Sequence, residues 1–294
     1  MTTPLQAYLA SASPTQREMN AILRSAAEEA ERTIPKLLEK GNYSGTLRAA
    51  QLAMVMREIK VILGATWGDL GATLRDGVGR SYLAGADGPD VLFSRLDAAT
   101  VRVLKTAFKN QAQQGIAAVL GKGANDIPLS TQVYKSQALS TGQVHRRVQQ
   151  GMVLGKGAKE IAKDVSSLIK PDVAGGVSYA ANRLARTELN NAFKTAQEER
   201  YKDEPWTLGM RWNLSKSHPE RDICNEHAEA DFHGLGAGIY PVGQRPKSHP
   251  NCLCYLTVEQ MSDDEWMDRF IDGEFNDYLD EKVYTHNRGA TPCP

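Results

Sequence analysis

The chain has few aromatic residues and few cysteines, and both scarcities exclude classes of protein. Aromatic residues make up 7% of its 294 residues, and there are four cysteines. A chain of this length buries enough apolar surface to fold without covalent staples, so a disulfide scaffold is excluded. The low aromatic content, together with plentiful Ala, Gln and Leu, favours helices over sheets.

Long hydrophobic runs are also missing. No run approaches the roughly 18 to 20 apolar residues needed to cross a bilayer. The first 13 residues lack both the cationic start and the apolar stretch of a secretory signal. We therefore expect a protein that is made in the cytoplasm and has no membrane partner.

The chain lacks net charge as well, but its charges are unevenly distributed. Residues 1–200 carry 26 Lys and Arg against 18 Asp and Glu, whereas residues 201–294 carry 9 against 17. The first part could face a polyanion, which the second would repel. The simpler interpretation is that these charges lie on the solvated outer faces of long helices, because the excess of positive charge is small for 200 residues.

Helical periodicity dominates the first 200 residues. The apolar spacing and the Gly, Ser and Pro boundaries predict helices from Ser13–Pro14 to Gly41, over 46–63, 66–84, 94–120 and 130–150, in a short segment ending near Lys170, and from Gly175–Gly176 to about Tyr201.

After residue 204, Pro and Gly crowd together, and only 207–214 and 253–258 are good strand candidates. A last helix is predicted over 262–271, followed by an extended arm. The predicted fold is mainly α, a multi-helix body with a small α+β, loop-rich Cys/His module near the C-terminus. The predicted segments are an N-terminal helical region 1–125, a second helical region 126–204, the Cys/His module 205–260, and a C-terminal helix and arm 261–294.

The chemistry of the sequence is concentrated in this module. Cys224-x-x-His227 is followed by His249-x-x-Cys252-x-Cys254. Thiolates and imidazoles are the ligands of structural zinc, and pairs spaced by two residues can close around one ion. We therefore predict one structural zinc ion in a zinc-knuckle-like site, with all five residues as candidate ligands.

Two questions about this site stay open at the level of sequence. A strand starting at Leu253 would turn Cys254 away from the metal, whereas a turn at Pro250–Asn251 would bring both Cys252 and Cys254 to it. The same residues could also form a metal-free core, or two of the thiols could join in a disulfide after cell lysis.

The sequence contains none of the common catalytic motifs in complete form. The segment Gly151–Gly157 contains the glycines and lysine of a phosphate loop, but it has the wrong spacing, and no Ser or Thr follows Lys156. There is no nucleophile elbow and no His-Glu-x-x-His helix. We therefore expect a protein that is not an enzyme.

Four blocks of sequence, in their order and spacing, resemble the Mu F-like minor head proteins, which are head-morphogenesis proteins of tailed bacteriophages. The blocks are Gly155–Ala162, Ala185-Arg186-Thr187-Glu188, Arg221-Asp222-x-Cys224 and His249-Pro250-Asn251-Cys252-x-Cys254. The resemblance covers residues 130–260, so that 126–204 would be the helical part of a Mu F-like domain. Family members often have cysteine where His227 stands and arginine where Leu253 stands.

The resemblance implies a minor capsid protein near the portal vertex, with a structural role in head morphogenesis and a possible role in genome packaging or ejection. The implied partners are portal and major capsid or scaffolding proteins, with packaged DNA as a further candidate. The implied location is the virion, assembled in the host cytoplasm. The implied role of Arg186-Thr187-Glu188 is structural.

A metal-dependent nuclease or another DNA-processing enzyme is the alternative. His249-x-Asn251 beside paired cysteines loosely resembles zinc-supported nuclease folds. Such an enzyme needs a general base and a catalytic cation near the scissile phosphate. His249 is better used as a zinc ligand, and Asp222 alone is a weak second carboxylate.

Overall fold

A computed structural model describes residues 3–39, 45–87, 98–124, 126–171, 175–216 and 220–281. The described residues are mostly helical, with one small sheet, which confirms the predicted fold class. The elements in chain order are α1 Pro4–Glu39, α2 Gly45–Ala86, α3 Ala98–Lys122, α4 Leu129–Val153, α5 Ala158–Ile169, α6 Gly176–Tyr201, β1 Thr207–Asn213, α7 Ile223–Glu229, β2 Ile239–Tyr240, β3 Tyr255–Gln260, α8 Asp263–Ile271 and α9 Asn276–Leu279.

Helix α1 begins nine residues before the predicted start at Ser13. Pro14 lies inside it rather than in its first turn. The early turns are held by burial, because Tyr8 is buried and its ring meets that of Phe193 edge-on at 5.8 Å. Such packing outweighs the backbone hydrogen bond that proline cannot donate.

Helix α2 is one continuous helix where two were predicted, over 46–63 and 66–84. The glycines in this stretch predict an interruption that the structure does not have. The helix continues because a buried stripe at helical spacing crosses the predicted gap. The stripe consists of Val55, Ile59, Ile62, Leu63, Trp67, Leu70, Leu74 and Val78.

The remaining helices match their predictions more closely. Helices α4 and α6 lie within a few residues of the predicted 130–150 and 175–201. Helix α3 was predicted from residue 94, and residues 88–97 lie outside the described part of the chain.

Ser262 caps α8 by accepting a hydrogen bond from the Glu265 backbone N–H at 3.2 Å, as its sequence predicts. The predicted arm falls on residues 282–294, also outside the described part.

The chain forms two compact units, each made of separated segments. The first comprises residues 1–12, 78–126 and 187–294, and the second comprises 13–77 and 127–186. In the second unit, α4 and α5 pack so closely that a Cβ on Gly151 would lie 2.7 Å from the Ile161 side chain. The four-segment division drawn from the sequence stays a prediction.

The sheet belongs to the first unit. It has the order β2-β1-β3, and both pairs are antiparallel. The predicted strands at 207–214 and 253–258 are confirmed as β1 and β3, whereas the two-residue β2 was not predicted. In the β1–β3 register, Trp212 lies opposite Leu256, and both are buried. This face of the sheet forms a core with Tyr201, Met210, Tyr240 and the cysteines Cys224, Cys252 and Cys254.

A second apolar cluster follows the sheet. The Trp206 ring meets the rings of Trp266 and Phe275 edge-on, at 6.3 and 5.5 Å, and Met261 completes the cluster. No helix among the described residues combines the length and apolar content that a bilayer crossing requires.

Candidate metal centre

The short helix α7 positions the first candidate ligand. Its N-cap residue Asp222 accepts a hydrogen bond through Oδ1 from the Cys224 backbone N–H at 2.7 Å. The Asn225 side chain accepts from the Asp222 backbone N–H at 3.0 Å, which closes a reciprocal capping box. The first turn is therefore fixed, and it holds the Cys224 thiol in the core of the module.

The second ligand segment, 249–254, is held by helix α6. The Asn251 backbone N–H donates to Thr187 Oγ1 at 2.9 Å, and the Asn190 side-chain amide donates to the carbonyl oxygens of Cys252 and Cys254 at 2.8 and 3.2 Å. Thr187 and Asn190 are one helical turn apart and therefore share a face. Asn251 itself has a φ of 69°, a left-handed conformation that asparagine tolerates better than most residues.

The three thiols converge. Cys224 Sγ and Cys252 Sγ are 3.6 Å apart, and the Cys254 backbone N–H donates to Cys252 Sγ at 3.3 Å. The Sγ–Sγ distance is far beyond the roughly 2.05 Å of a disulfide. It is close to the edge of a zinc tetrahedron, because Zn–S bonds of about 2.3 Å place two thiolates about 3.8 Å apart.

His249 completes a group of three ligands. One ligand atom each from Cys224, Cys252 and His249 lie within 4.8 Å of one another, and no other such group of three occurs in the described ranges. His249 Nδ1 lies 2.9 Å from the Pro250 carbonyl oxygen. A carbonyl only accepts, so the ring proton sits on Nδ1, and the lone pair of a neutral ring sits on Nε2.

The environment of His249 Nε2 fits a cation. This atom is buried without a hydrogen bond, although it lies 3.1 Å from Asp222 Oδ2. Two acceptors at that distance repel each other unless a proton or a metal ion binds the nitrogen. An imidazole that is oriented by a backbone carbonyl through one ring nitrogen keeps the other nitrogen for a metal ion, which is the usual arrangement of a zinc ligand.

The remaining two candidates lie differently. Cys254 is buried, but it is not part of the group of three. His227 is absent from the group of three, and its ring meets that of Trp212 edge-on at 5.3 Å. Burial lowers the pKa of His227, which keeps the imidazole neutral. The predicted ligand roles of His227 and Cys254 stay predictions.

Electrostatics favour a negative charge on the cluster. The hydrogen bonds from the Cys224 and Cys254 thiols, reinforced by the charge of Lys194, lower the pKa of Cys252. Hydrogen bonds to the Cys252 and Cys254 thiols raise the pKa of Cys224, because they stabilise its protonated form. Cys252 is therefore the thiol that loses its proton most readily.

Lys194 was missed at the level of sequence. Its side chain is fully buried, with Nζ 2.9 Å from Ser248 Oγ and 4.1 Å from the centroid of the Trp212 ring. Burial lowers its pKa to about 8, and the charges of the nearby cysteines act in the opposite direction. The one signal in the sequence was its spacing from Thr187 and Asn190, because positions i, i+3 and i+7 share a helix face.

The block Arg186-Thr187-Glu188 makes structural contacts. Glu188 is buried, and its carboxylate accepts from the Ala124 backbone N–H at 3.1 Å. The Thr187 hydroxyl accepts the hydrogen bond of the Asn251 backbone N–H. Three of the four blocks quoted for the family resemblance therefore meet around the candidate centre.

No protein-family model, curated protein or solved structure matches this chain.

Proposed function

We propose that this chain is a non-enzymatic minor head protein of a tailed bacteriophage, and that its Cys/His module is a zinc-stabilised clasp. The proposed location is the phage head near the portal vertex, after assembly in the host cytoplasm. The proposed partners are portal and major capsid or scaffolding proteins, and packaged DNA is a further candidate.

The convergence of the sequence blocks carries this proposal. Segments separated by more than 60 residues meet through specific contacts, in which Thr187 binds Asn251 and Asn190 binds Cys252. The Asp222 cap then positions Cys224 against Cys252. Three of the four blocks that carry the family resemblance thus supply residues of the site, and a chance likeness in spacing would not require this.

Burial supports a structural role for the metal rather than a catalytic one. The side chains of Cys224, Cys252 and Cys254 are no more than 2% exposed. Structural zinc sites are closed and fully ligated by the protein, whereas catalytic sites keep a position for water or substrate. A metal ion held by these thiols and His249 would fix the end of the connection that precedes α7. It would also fix both ends of the connection that runs from α7 to His249. Both connections would then be presented to a partner with their ends fixed.

Particle composition tests the proposal. Mass spectrometry of purified particles should find the chain at a few copies per portal ring. A Cys252→Ser variant should be incorporated less well or yield fewer infectious particles, whereas Lys135→Ala, on an exposed site of α4, should behave as wild type.

Two results would overturn the proposal. One is normal incorporation and infectivity of the Cys252→Ser particles. The other is cleavage of plasmid DNA by the purified chain with zinc or magnesium, lost in the Cys252→Ser variant, which would favour the nuclease alternative.

A further inference from the structure

A polar cleft lies within the first compact unit, and none of the five candidate metal ligands is among its lining residues. Its volume is about 420 Å³, which is in the range of sites for small ligands. The lining comes from residues within 115–126 at the end of α3 and within 191–199 on α6, together with Tyr82 of α2 and three residues of the segment 243–247.

Arg245 is fixed in the wall of this cleft. Its Nε donates to Glu198 Oε2 at 2.6 Å, and its Nη2 donates to Asn191 Oδ1 and Thr195 Oγ1 at 3.1 and 3.0 Å. The side chains of Arg245 and Glu198 are only 10% and 9% exposed. These contacts use Nε and Nη2 and leave Nη1, with its two N–H groups, without a partner among the described residues. A guanidinium held in this way is suited to receive an oxyanion.

One end of the cleft carries surplus positive charge. Lys122 and Lys247 both form an ion pair with the single carboxylate of Asp126. The chain beside them is joined to the early part of α6, because the Ala124 backbone N–H donates to the Glu188 carboxylate at 3.1 Å. The two lysines therefore stand at the end of the cleft that is nearest the start of α6.

The opposite end is anionic. Tyr82 packs so closely against α3 that a Cβ on Gly115 would overlap with its hydroxyl oxygen. Burial and the charge of Glu199, which also lines the cleft, raise the pKa of Tyr82, so the phenol keeps its proton. Gly115 and Lys122 are two turns apart on α3, which is about 10 Å along the helix axis. The anionic and cationic ends are therefore separated by about that distance.

The interior of the cleft suits a peptide better than an aliphatic chain. The second carboxylate oxygen of Glu198, Oε1, is buried and has no hydrogen-bond partner among the described residues. A peptide N–H can donate to this oxygen, whereas an aliphatic chain would leave it unsatisfied. Three residues of extended chain span about 10 Å, so a peptide of this length matches the separation of the two ends.

We propose that this cleft binds an extended peptide of about three residues with free termini. Its carboxylate accepts from Arg245 Nη1 and from Lys247, and its ammonium group donates to Glu199 and to the Tyr82 hydroxyl. Such a ligand has no net charge, and neither has the lining, whose three cations and three carboxylates are Lys122, Arg245, Lys247, Asp126, Glu198 and Glu199. The site is separate from the proposed metal centre, so a chain that binds no zinc leaves this inference intact.

Isothermal titration calorimetry of the full chain with trialanine tests the proposal. Trialanine should bind saturably at millimolar concentration or below, with and without a strong chelator. Amidation of its C-terminus or acetylation of its N-terminus removes one charged group, and each change should weaken binding by about 10-fold or more. The absence of saturable binding would overturn the proposal, and so would blocked peptides that bind as tightly as trialanine.

Exchanging the peptides among variants tests which end binds which group. Glu199→Gln should weaken trialanine binding about two- to fivefold and leave the affinity of acetylated trialanine unchanged, because the ammonium group is already absent. Lys247→Met should weaken trialanine binding by a similar factor and leave the amidated peptide unchanged. Both side chains are exposed, so these variants should fold.

Lys135→Met, at an exposed lysine of α4 outside the cleft, is the matched control and should bind all three peptides as wild type does. Equal losses for all three peptides in Glu199→Gln or Lys247→Met would overturn the assignment of the two ends. A Lys135→Met chain that loses as much affinity as Lys247→Met would show that only the overall charge matters, which would also overturn the proposal.

Discussion

The side-chain amide of Asn190 donates a hydrogen bond to the carbonyl oxygen of Cys252 at 2.8 Å, and both residues are buried. The same amide reaches the Cys254 carbonyl at 3.2 Å. A side chain of α6 therefore fixes the backbone that carries two candidate ligands. The geometry of the thiols is thus set by a helix that lies some 60 residues earlier in the chain.

Replacing Asn190 by Leu should destabilise the module, because two buried carbonyls lose their donor. An unsatisfied buried acceptor costs about 1–3 kcal/mol, so urea unfolding should show a free energy of unfolding lower by at least that amount. Asn182→Ala is a suitable control, because this asparagine on the same helix makes one long, exposed hydrogen bond. If the two variants lose equal stability, the amide does not organise the ligand segment.

Metal removal should destabilise the module in wild type. Protein purified without chelator should contain close to one zinc ion per chain, and a strong chelator should lower its melting temperature. A ligand held at 100 times its dissociation constant stabilises the folded state by about 2.7 kcal/mol. Cys252→Ser should abolish this response to the chelator. A zinc content near zero together with normal folding of Cys224→Ser would show that the cysteines form a metal-free core.

Two glycines of helix α2 should respond to alanine with opposite signs. A Cβ on Gly85 would lie 2.3 Å from the Phe193 carbonyl oxygen, whereas a Cβ on Gly68 would meet nothing within 4 Å. Gly85→Ala should therefore lower the free energy of unfolding by about 1–3 kcal/mol through overpacking. Gly68→Ala should raise it by up to about 1 kcal/mol through helix propensity. Denaturant unfolding of both variants checks the pair, and a loss of stability in Gly68→Ala would contradict it.

The candidate ligands could be predicted from the sequence because cysteine and histidine at short spacings have few other uses in a loop-rich module. Their supports could not be predicted. Helical periodicity indicates that Asn190 and Lys194 share a face, but it does not reveal that this face meets residues 248–254. Those contacts join positions 54 and 62 residues apart. Only the tertiary fold brings them together.

The helices illustrate the same limit. Apolar positions at helical spacing predicted most of the helical segments, but the glycines from Gly64 onward led to a break that α2 does not have. Glycine propensity is worth about 1 kcal/mol in a helix, and burial of Trp67 and its neighbours outweighs it. Strand β2 was missed because two residues carry no periodicity.

A further prediction concerns pH and rests on Glu204, which follows the end of α6. Its side chain is almost fully buried beside Trp206, and burial raises its pKa from 4.5 to about 7, against the opposing charge of Arg200. Its contacts with Thr207 Oγ1 and Gln260 Nε2, at 3.4 and 3.5 Å, are long and stabilise the carboxylate weakly. The folded chain therefore keeps the proton at pH values where the unfolded chain has lost it.

Stability should accordingly fall as the pH rises through this interval. Below pH 4.5 both states hold the proton, and above pH 7 neither does; between them the folded state binds more protons, so the contribution of Glu204 decreases by at most about 1.4 kcal/mol per pH unit. Glu204→Gln stays neutral throughout. Its free energy of unfolding relative to wild type should thus rise from pH 5 to pH 7 and then level off. Glu199→Gln, an exposed change on α6, should show no such trend. Parallel curves for wild type and Glu204→Gln would mean that the folded protein already holds this carboxylate ionised at pH 5.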